Sequence, residues 1–277
     1  MNKEDACNLC GSTNNFKIIS EVTEKPKLET DYGIAAQQYS RKICHCLNCG
    51  VYFNSYAPEL LPENFYTGFY NNSIDSGKLI ERFNRITSLP IEQSDNKQRV
   101  SRIINFLSNN TSFDFEEVET LDVGTGTGVF VHELKKYINK VNCVDPDPHS
   151  IRLVKQQVQV ENAWIGSVND IPDESKFDFI SFNKVLEHVE NPIQLLKTSV
   201  SYLKMGGIIY IELPYSDLII SEGKEKERAE FFVEHLAIYN EPSINFLINK
   251  AGLKNLEIEV IMEASGKNTI FAFCEVS

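Results

Sequence analysis

From residue 93 onward the apolar positions switch repeatedly between helical and strand spacing. Val100, Ile103, Ile104 and Leu107 recur at helical steps, and VETLDV (118–123) then reads as a strand. A Gly-rich turn follows and opens a helix predicted over 128–138. KVNCVD (140–145) is the second strand, with a helix over about 148–158 and a short strand AWIG (163–166) after it. FDFISF (177–182) is the fourth strand, and Ile193, Leu196, Val200 and Leu203 share one face of the next helix. GGIIYIELP (206–214) is a fully apolar strand after a Gly-Gly break. Near-continuous apolar strands alternating with helices predict an α/β domain whose parallel sheet is covered on both faces. The end differs. After a helix at about 241–251, the strands LKNLEIEVIM (253–262) and NTIFAFCEV (268–276) are separated only by EASGK. That gap is too short for a crossover helix, so the two should pair as an antiparallel hairpin.

The first 92 residues follow neither period. Residues 1–60 are short, polar and punctuated by paired cysteines, with no helix of convincing length. Residues 61–92, rich in aromatics, Asn and Ser, read as a linker able to fold over a neighbouring site. Tyr66 and Tyr70 there either cover an acceptor or pack. The expected division is therefore a module over 1–60, a lid or linker over 61–92, and the α/β domain over 93–277.

Composition narrows the class of partner. Over 277 residues the net charge is −12, and the first sixty carry 6 Lys/Arg against 7 Asp/Glu. Proteins that bind a phosphate backbone usually show a basic footprint, so a small molecule is the better partner and nucleic acid the poorer one. No apolar run approaches the roughly 20 residues of a membrane span, and MNKEDACNLCG does not resemble a signal peptide, so a cytoplasmic location is expected.

Five of the seven cysteines fall within the first fifty residues, which in a cytosolic chain points to metal before disulfides. Cys7-x2-Cys10-Gly and Cys46-x2-Cys49-Gly are two knuckles of the kind that offer four thiolates to tetrahedral Zn²⁺. Four protein ligands leave no open position, so such a zinc is structural. Cys44 and His45 could replace one ligand, though each breaks the paired spacing. Cys143 and Cys274 lie in apolar stretches and read as buried strand residues.

LDVGTGTGVF sets Gly124, Gly126 and Gly128 between a strand and a helix, where glycines let the chain bend tightly and a ligand lie close. A dinucleotide fingerprint wants Gly-x-Gly-x-x-Gly, but the third position is Val129, which counts against a nicotinamide dehydrogenase. Gly-x-Gly-x-Gly preceded by Asp122 instead resembles motif I of class I S-adenosylmethionine (SAM)-dependent methyltransferases. The resemblance spans roughly 93–275 and implies a Rossmann-like seven-stranded sheet carrying a small N-terminal zinc ribbon. It implies that Asp122, Gly124, Thr125, Gly126 and Gly128 surround SAM. Asp145, 21 residues after Gly124, would accept the ribose hydroxyls. IGSVNDIP (165–172) looks like the family's adenine-bordering segment, here with Ser167 and Val168 where many members have Asp after the glycine. FDFISFNKVLEHVENP (177–192) matches strand 4 and its loop, with Asn183 near the methionine end, and LKMGGIIYIELP (203–214) matches strand 5.

Methyl transfer needs an acceptor in line with the sulfonium and a base for its proton. His188, after strand 4, and the Glu234–His235 pair, after strand 5, are the candidates; a capping or solvated-surface role is the plainer reading of each. The zinc ribbon joined to this core is similar to bacterial deoxysugar C-methyltransferases, which act on nucleotide-linked keto-sugars and carry Tyr-x-Glu-His after strand 5. Here Phe232 stands for the tyrosine, and the resemblance is expected to cover the zinc module and core without their further C-terminal domain. The expectation is methyl transfer to a small polar metabolite, such as a sugar nucleotide or surface-glycan precursor. The alternatives are a nucleic-acid or protein methyltransferase with the zinc ribbon as reader, and a non-catalytic SAM-binding protein.

Overall fold

A computed structural model describes residues 6–30, 32–57, 60–61 and 76–277. Tyr66 and Tyr70, with residues 62–75 of the expected lid, lie outside these residues.

Three strands open the chain: β1 (Phe16–Val22), β2 (Arg41–Cys46) and β3 (Tyr52–Tyr56). Helix α1 (Ser76–Thr87) was not foreseen, because the aromatic and Asn/Ser-rich stretch before it dominated the reading of 61–92. Its signal was Leu79 and Phe83, four residues apart and both buried; Phe83 meets His132 edge-on at 5.2 Å.

Then come α2 (Asp95–Asn110), β4 (Glu119–Val123), α3 (Val129–Leu134), β5 (Lys140–Asp145), α4 (Pro148–Gln157) and β6 (Ala163–Ile165). They are followed by β7 (Phe177–Asn183), α5 (Pro192–Ser201), β8 (Leu203–Pro214), α6 (Asp217–Ser221) and β9 (Ala237–Ile238). The chain closes with α7 (Glu241–Lys250), β10 (Leu253–Met262) and β11 (Asn268–Val276). Helix α3 stops four residues short of expectation, since Lys136 and Tyr137 donate to carbonyls three residues back and tighten the last turn.

Seven strands form one sheet in the order β10-β11-β8-β7-β4-β5-β6. Strands β6, β5, β4, β7 and β8 run parallel to one another; β11 runs antiparallel to both β8 and β10, so the terminal hairpin is present. Successive side chains of these strands enter two different cores. Ile180, Ile209 and Ile211 pack with Leu196 of α5 and Ile244 and Leu247 of α7. Phe179, Tyr210 and Phe273 pack with Val100, Ile103 and Leu107 of α2 and with α3 and α4. Each fully buried Leu, Ile or Phe contributes about 1.5–3 kcal/mol, so the doubly covered sheet is the main source of stability. Cys143 and Cys274 are buried strand residues, as expected.

The cysteine-rich strands are not a separate bead. Their sheet has the order β1-β2-β3-β9, and its fourth strand comes from the segment after β8, with Tyr52 opposite Ile238 and Phe53 opposite Ala237. Cys46, Cys49, Val51 and Phe53 join the same buried cluster as the sheet residues Leu213 and Ile211. Among the described residues no helix is long and apolar enough to cross a membrane.

Candidate active site

Strand order reverses between β4 and its neighbours β5 and β7, and open α/β sheets bind ligands beyond the strand ends at such a point. The turn after β4 lies there. All three of its glycines have positive φ: +75° at Gly124, +52° at Gly126 and +74° at Gly128. A Cβ on Gly124 would sit 2.6 Å from Val185, and one on Gly128 2.6 Å from Val154, so those two are glycine because neighbours press on them. Gly126 differs: a Cβ there would meet nothing within 4 Å. The Gly126 amide donates to Asp145 Oδ2 at 2.8 Å, and Asp147 donates to Oδ1 at 2.8 Å. Each carboxylate oxygen keeps further accepting capacity beyond that one donor. Burial raises the Asp145 carboxyl.

Asp122, only 2% exposed, sits beneath this turn. Its Oδ1 accepts from Ser181 Oγ at 2.6 Å and from Asn183 Nδ2 at 2.9 Å, tying β4 to the end of β7. Burial pushes its carboxyl up to about 7, against the lowering effect of those donors. With Nδ2 committed, Asn183 presents a buried Oδ1 that has no partner among the described residues. Lys184, next along, takes a left-handed φ of 58° and turns the chain into the loop that holds Val185 against Gly124.

At the other edge, the Gly166 amide donates to the Asp145 carbonyl at 3.0 Å. Ser167 caps a 3₁₀ turn, and Asp170 accepts from both its amide (2.8 Å) and its hydroxyl (3.1 Å). The side chain of Val168 is in the core, so only its main chain is available to a ligand. Asp170, unnoticed in the sequence, supplies a carboxylate beside Ser167 where the expected Asp is missing.

The two histidine candidates, 47 positions apart, belong to one cluster. Their rings lie 4.7 Å apart between centroids, tilted by 57°. Each Nδ1 faces a main-chain carbonyl: His188 that of Glu234 at 2.9 Å, His235 that of Glu230 at 2.7 Å. Neither residue is on a helix face; His188 ends a 3₁₀ turn (Leu186–His188), and Glu234–His235 lie in the loop before β9. Glu187, 1% exposed, completes the cluster, and its main-chain carbonyl accepts from Leu236 at 2.7 Å. Burial drives all four side chains toward neutrality. Glu187 rises to about 8 and Glu234 also rises, while His188 falls and His235 falls further beside it. Glu187 was missed; its signal was that LEHV repeats, after β7, the Glu-His pair found after β8.

The cysteine-rich strands hold this loop. Asn54 Nδ2 donates to the carbonyls of Phe232 (3.0 Å) and His235 (2.9 Å), while Arg41 Nη1 donates to Asn54 Oδ1 at 2.6 Å. Glu29 accepts from the Val233 amide at 2.8 Å and from Tyr39 at 2.6 Å.

Cys7, Cys10, Cys46 and Cys49 converge, with Sγ–Sγ distances of 3.6 Å (Cys7–Cys49) and 3.5 Å (Cys10–Cys46). Tetrahedral bonds of about 2.3 Å to zinc need sulfurs roughly 3.8 Å apart, so the set suits that ion. Gly11 and Gly50 turn each knuckle at φ +72° and +81°, and their amides return to the Cys7 and Cys46 carbonyls. Cys44 and His45 stand outside the cluster, His45 stacking on Tyr52 at 4.4 Å.

Residues 93–258 match a family described as a methyltransferase domain. Among curated proteins, a ubiquinone biosynthesis O-methyltransferase of Xanthomonas campestris pv. campestris is 29% identical over 98 residues, 33% of this chain and 41% of that one. A mitochondrial counterpart from Candida albicans is 24% identical over 108 residues, 36% of this chain and 33% of that one. The chain thus spans less than half the length of these two relatives. Among solved structures, magnesium protoporphyrin IX methyltransferase from Synechocystis PCC 6803, with bound S-adenosylhomocysteine (SAH), superposes with a TM-score of 0.59. The two share 14% identity over 78% of this chain and 100% of that one. A SAM-dependent methyltransferase from Clostridium acetobutylicum gives 0.51 at 12% identity, over 73% and 98%. At such identities the likeness is one of fold. With more than half its length matched, the chain belongs to the methyltransferase-domain family.

Proposed function

We propose that this chain is a SAM-dependent methyltransferase acting on a small polar acceptor. One observation carries the reading: at the strand-order reversal Gly126 has open space where a Cβ would stand, and its amide donates to the Asp145 carboxylate at 2.8 Å. In this reading the methionine ammonium donates to Asn183 Oδ1, which Asp122 orients. The ribose hydroxyls donate to Asp145, and the adenine lies by Gly166–Val168 with Ser167 and Asp170 at its edge. Gly124, Thr125 and Gly128 shape the turn. Zinc held by Cys7, Cys10, Cys46 and Cys49 is structural, and its role is to stiffen the strands that grip residues 230–238.

The acceptor sits beside His188 and His235. Its nucleophile bonds to the methyl carbon as the carbon–sulfur bond breaks; sulfur keeps the electron pair, and the acceptor loses a proton. Neutral imidazoles suit that proton, with Glu234 and Glu187 beside them. A nucleotide-linked sugar is the finer proposal, supported by the pairing of His188 with Glu234–His235 and by the cysteine module. The curated relatives, named as O-methyltransferases of ubiquinone biosynthesis, favour a hydroxylated aromatic as the second acceptor class. A net charge of −12 speaks against nucleic acid.

The test is transfer of labelled methyl from SAM to panels of sugar nucleotides and of catechols. His188→Ala and His235→Ala should each lose about 10²–10⁴ in kcat with SAM affinity retained. Losses of only a few-fold in both would refute the site.

A further inference from the structure

The histidine cluster has the chemistry of a metal centre. One ligand atom each from Glu187, His188 and His235 lies within 4.8 Å of the others. Two hydrogen bonds to main-chain carbonyls orient the imidazoles. Because each Nδ1 faces a backbone carbonyl, Nδ1 carries the proton in the neutral ring and the lone pair resides on Nε2. Metal-binding histidines are oriented in this way by a second hydrogen bond. The third member supplies the independent sign: Glu187 is 1% exposed, and its Oε2 has no partner among the described residues. An orphaned carboxylate oxygen is costly to bury unless something occupies the space before it. The nearby cation Lys184 donates to Thr269 and lies 3.8 Å from Glu212, so its charge is shared elsewhere.

We propose that Glu187, His188 and His235 bind a divalent first-row transition metal, separate from the four-cysteine site, and leave a coordination position for an oxygen of the acceptor. Two imidazoles and one carboxylate with an open position form a ligand set used by catalytic zinc and by non-haem iron. The proposal rests on the reading that the acceptor binds beside these histidines. The cation then makes the acceptor oxygen more acidic, the work assigned above to an imidazole base.

The test is metal stoichiometry of the full chain, dialysed and reloaded with Zn²⁺ alone, and then with Co²⁺ alone. Two zinc ions per chain are expected, falling to one in Glu187→Gln, His188→Asn and His235→Asn, with SAH affinity unchanged as the sign of an intact fold. In the unsubstituted protein, cobalt should show the intense thiolate charge-transfer absorption and a second, weaker set of bands lacking it. One zinc per chain, or two that persist in all three variants, would overturn the metal site. SAH titration of the same samples keeps that outcome distinct from failure of the methyltransferase reading. Stripping the second metal with a mild chelator should abolish turnover and its return restore it; full activity in the stripped protein would leave the histidines as bases.

Discussion

The side-chain amide of Asn54, on β3, donates to the main-chain carbonyl of His235 at 2.9 Å, across 181 residues of chain. The same amide reaches Phe232, and Arg41, 1% exposed, fixes its carbonyl end. The candidate catalytic loop is thus held from outside the sheet, by strands that the four cysteines tie together.

Asn54→Ala should therefore damage catalysis more than cofactor binding. It leaves buried carbonyls without their donor, a loss of about 1–3 kcal/mol. We expect a melting temperature lower by a few degrees and kcat lower by at least about tenfold. SAH affinity, measured by calorimetry, should stay within about threefold, since the glycine turn is untouched. A variant with normal kcat would show that the loop holds its own shape.

The cysteine site makes a parallel prediction. Cys49→Ser should lose the tightly held zinc and unfold the strands it gathers, because a structural zinc contributes its binding energy directly to folding. Hydrogen exchange should speed up in β1–β3 and β9 while β4, β5 and β7 stay protected. Unchanged protection in β9 would contradict the coupling.

If the ligand lies against Gly126, glycine there answers to it as well as to its positive φ, whereas Gly266 answers to its φ alone. Gly126→Ala puts a side chain at φ +52° into the open cradle, and Gly266→Ala does the same at φ +80° in open space at the β10–β11 turn. Each should cost about 1–2 kcal/mol of stability. Only Gly126→Ala should also weaken SAH binding, by tenfold or more. Equal affinities in the two variants would place the cofactor elsewhere.

The buried Asp122 carboxyl predicts a pH dependence of stability. Its carboxyl moves from 3.8 to about 7 on folding, so between those values the folded chain keeps a proton that the unfolded chain releases. Its stabilising contribution is full below about 4 and is lost as pH rises through 7. Asp122→Asn removes that loss, and the Asn carbonyl can still accept from Ser181 or Asn183. The variant should be more stable than the unsubstituted protein at pH 8, by on the order of a few kcal/mol in denaturant unfolding, with the gap narrowing toward pH 5. A gap that widened on acidification would contradict the assignment.

Much of this was legible in the residues because local patterns encode it. The strands KVNCVD, LKNLEIEVIM and NTIFAFCEV match β5, β10 and β11 residue for residue, since apolar runs bounded by turn residues admit little else. The glycine turn and the cysteine pairs were equally plain. What escaped was non-local. Strand β9 is two residues long and exists only because β3 lies beside it. Glu187 meets His235 only through the fold, and Asp170 becomes a neighbour of Ser167 only through a 3₁₀ turn. Helix α1 carried a readable Leu79–Phe83 spacing that composition obscured.

The central claim is that the Gly126–Asp145 turn holds SAM. Calorimetric titration of the purified chain with SAM, SAH and NAD, repeated on Asp145→Ala, tests it most directly. The account predicts one SAM or SAH per chain, affinity at least tenfold weaker in Asp145→Ala, and no heat from NAD. Absent binding of SAM and SAH, or binding indifferent to Asp145, would contradict it.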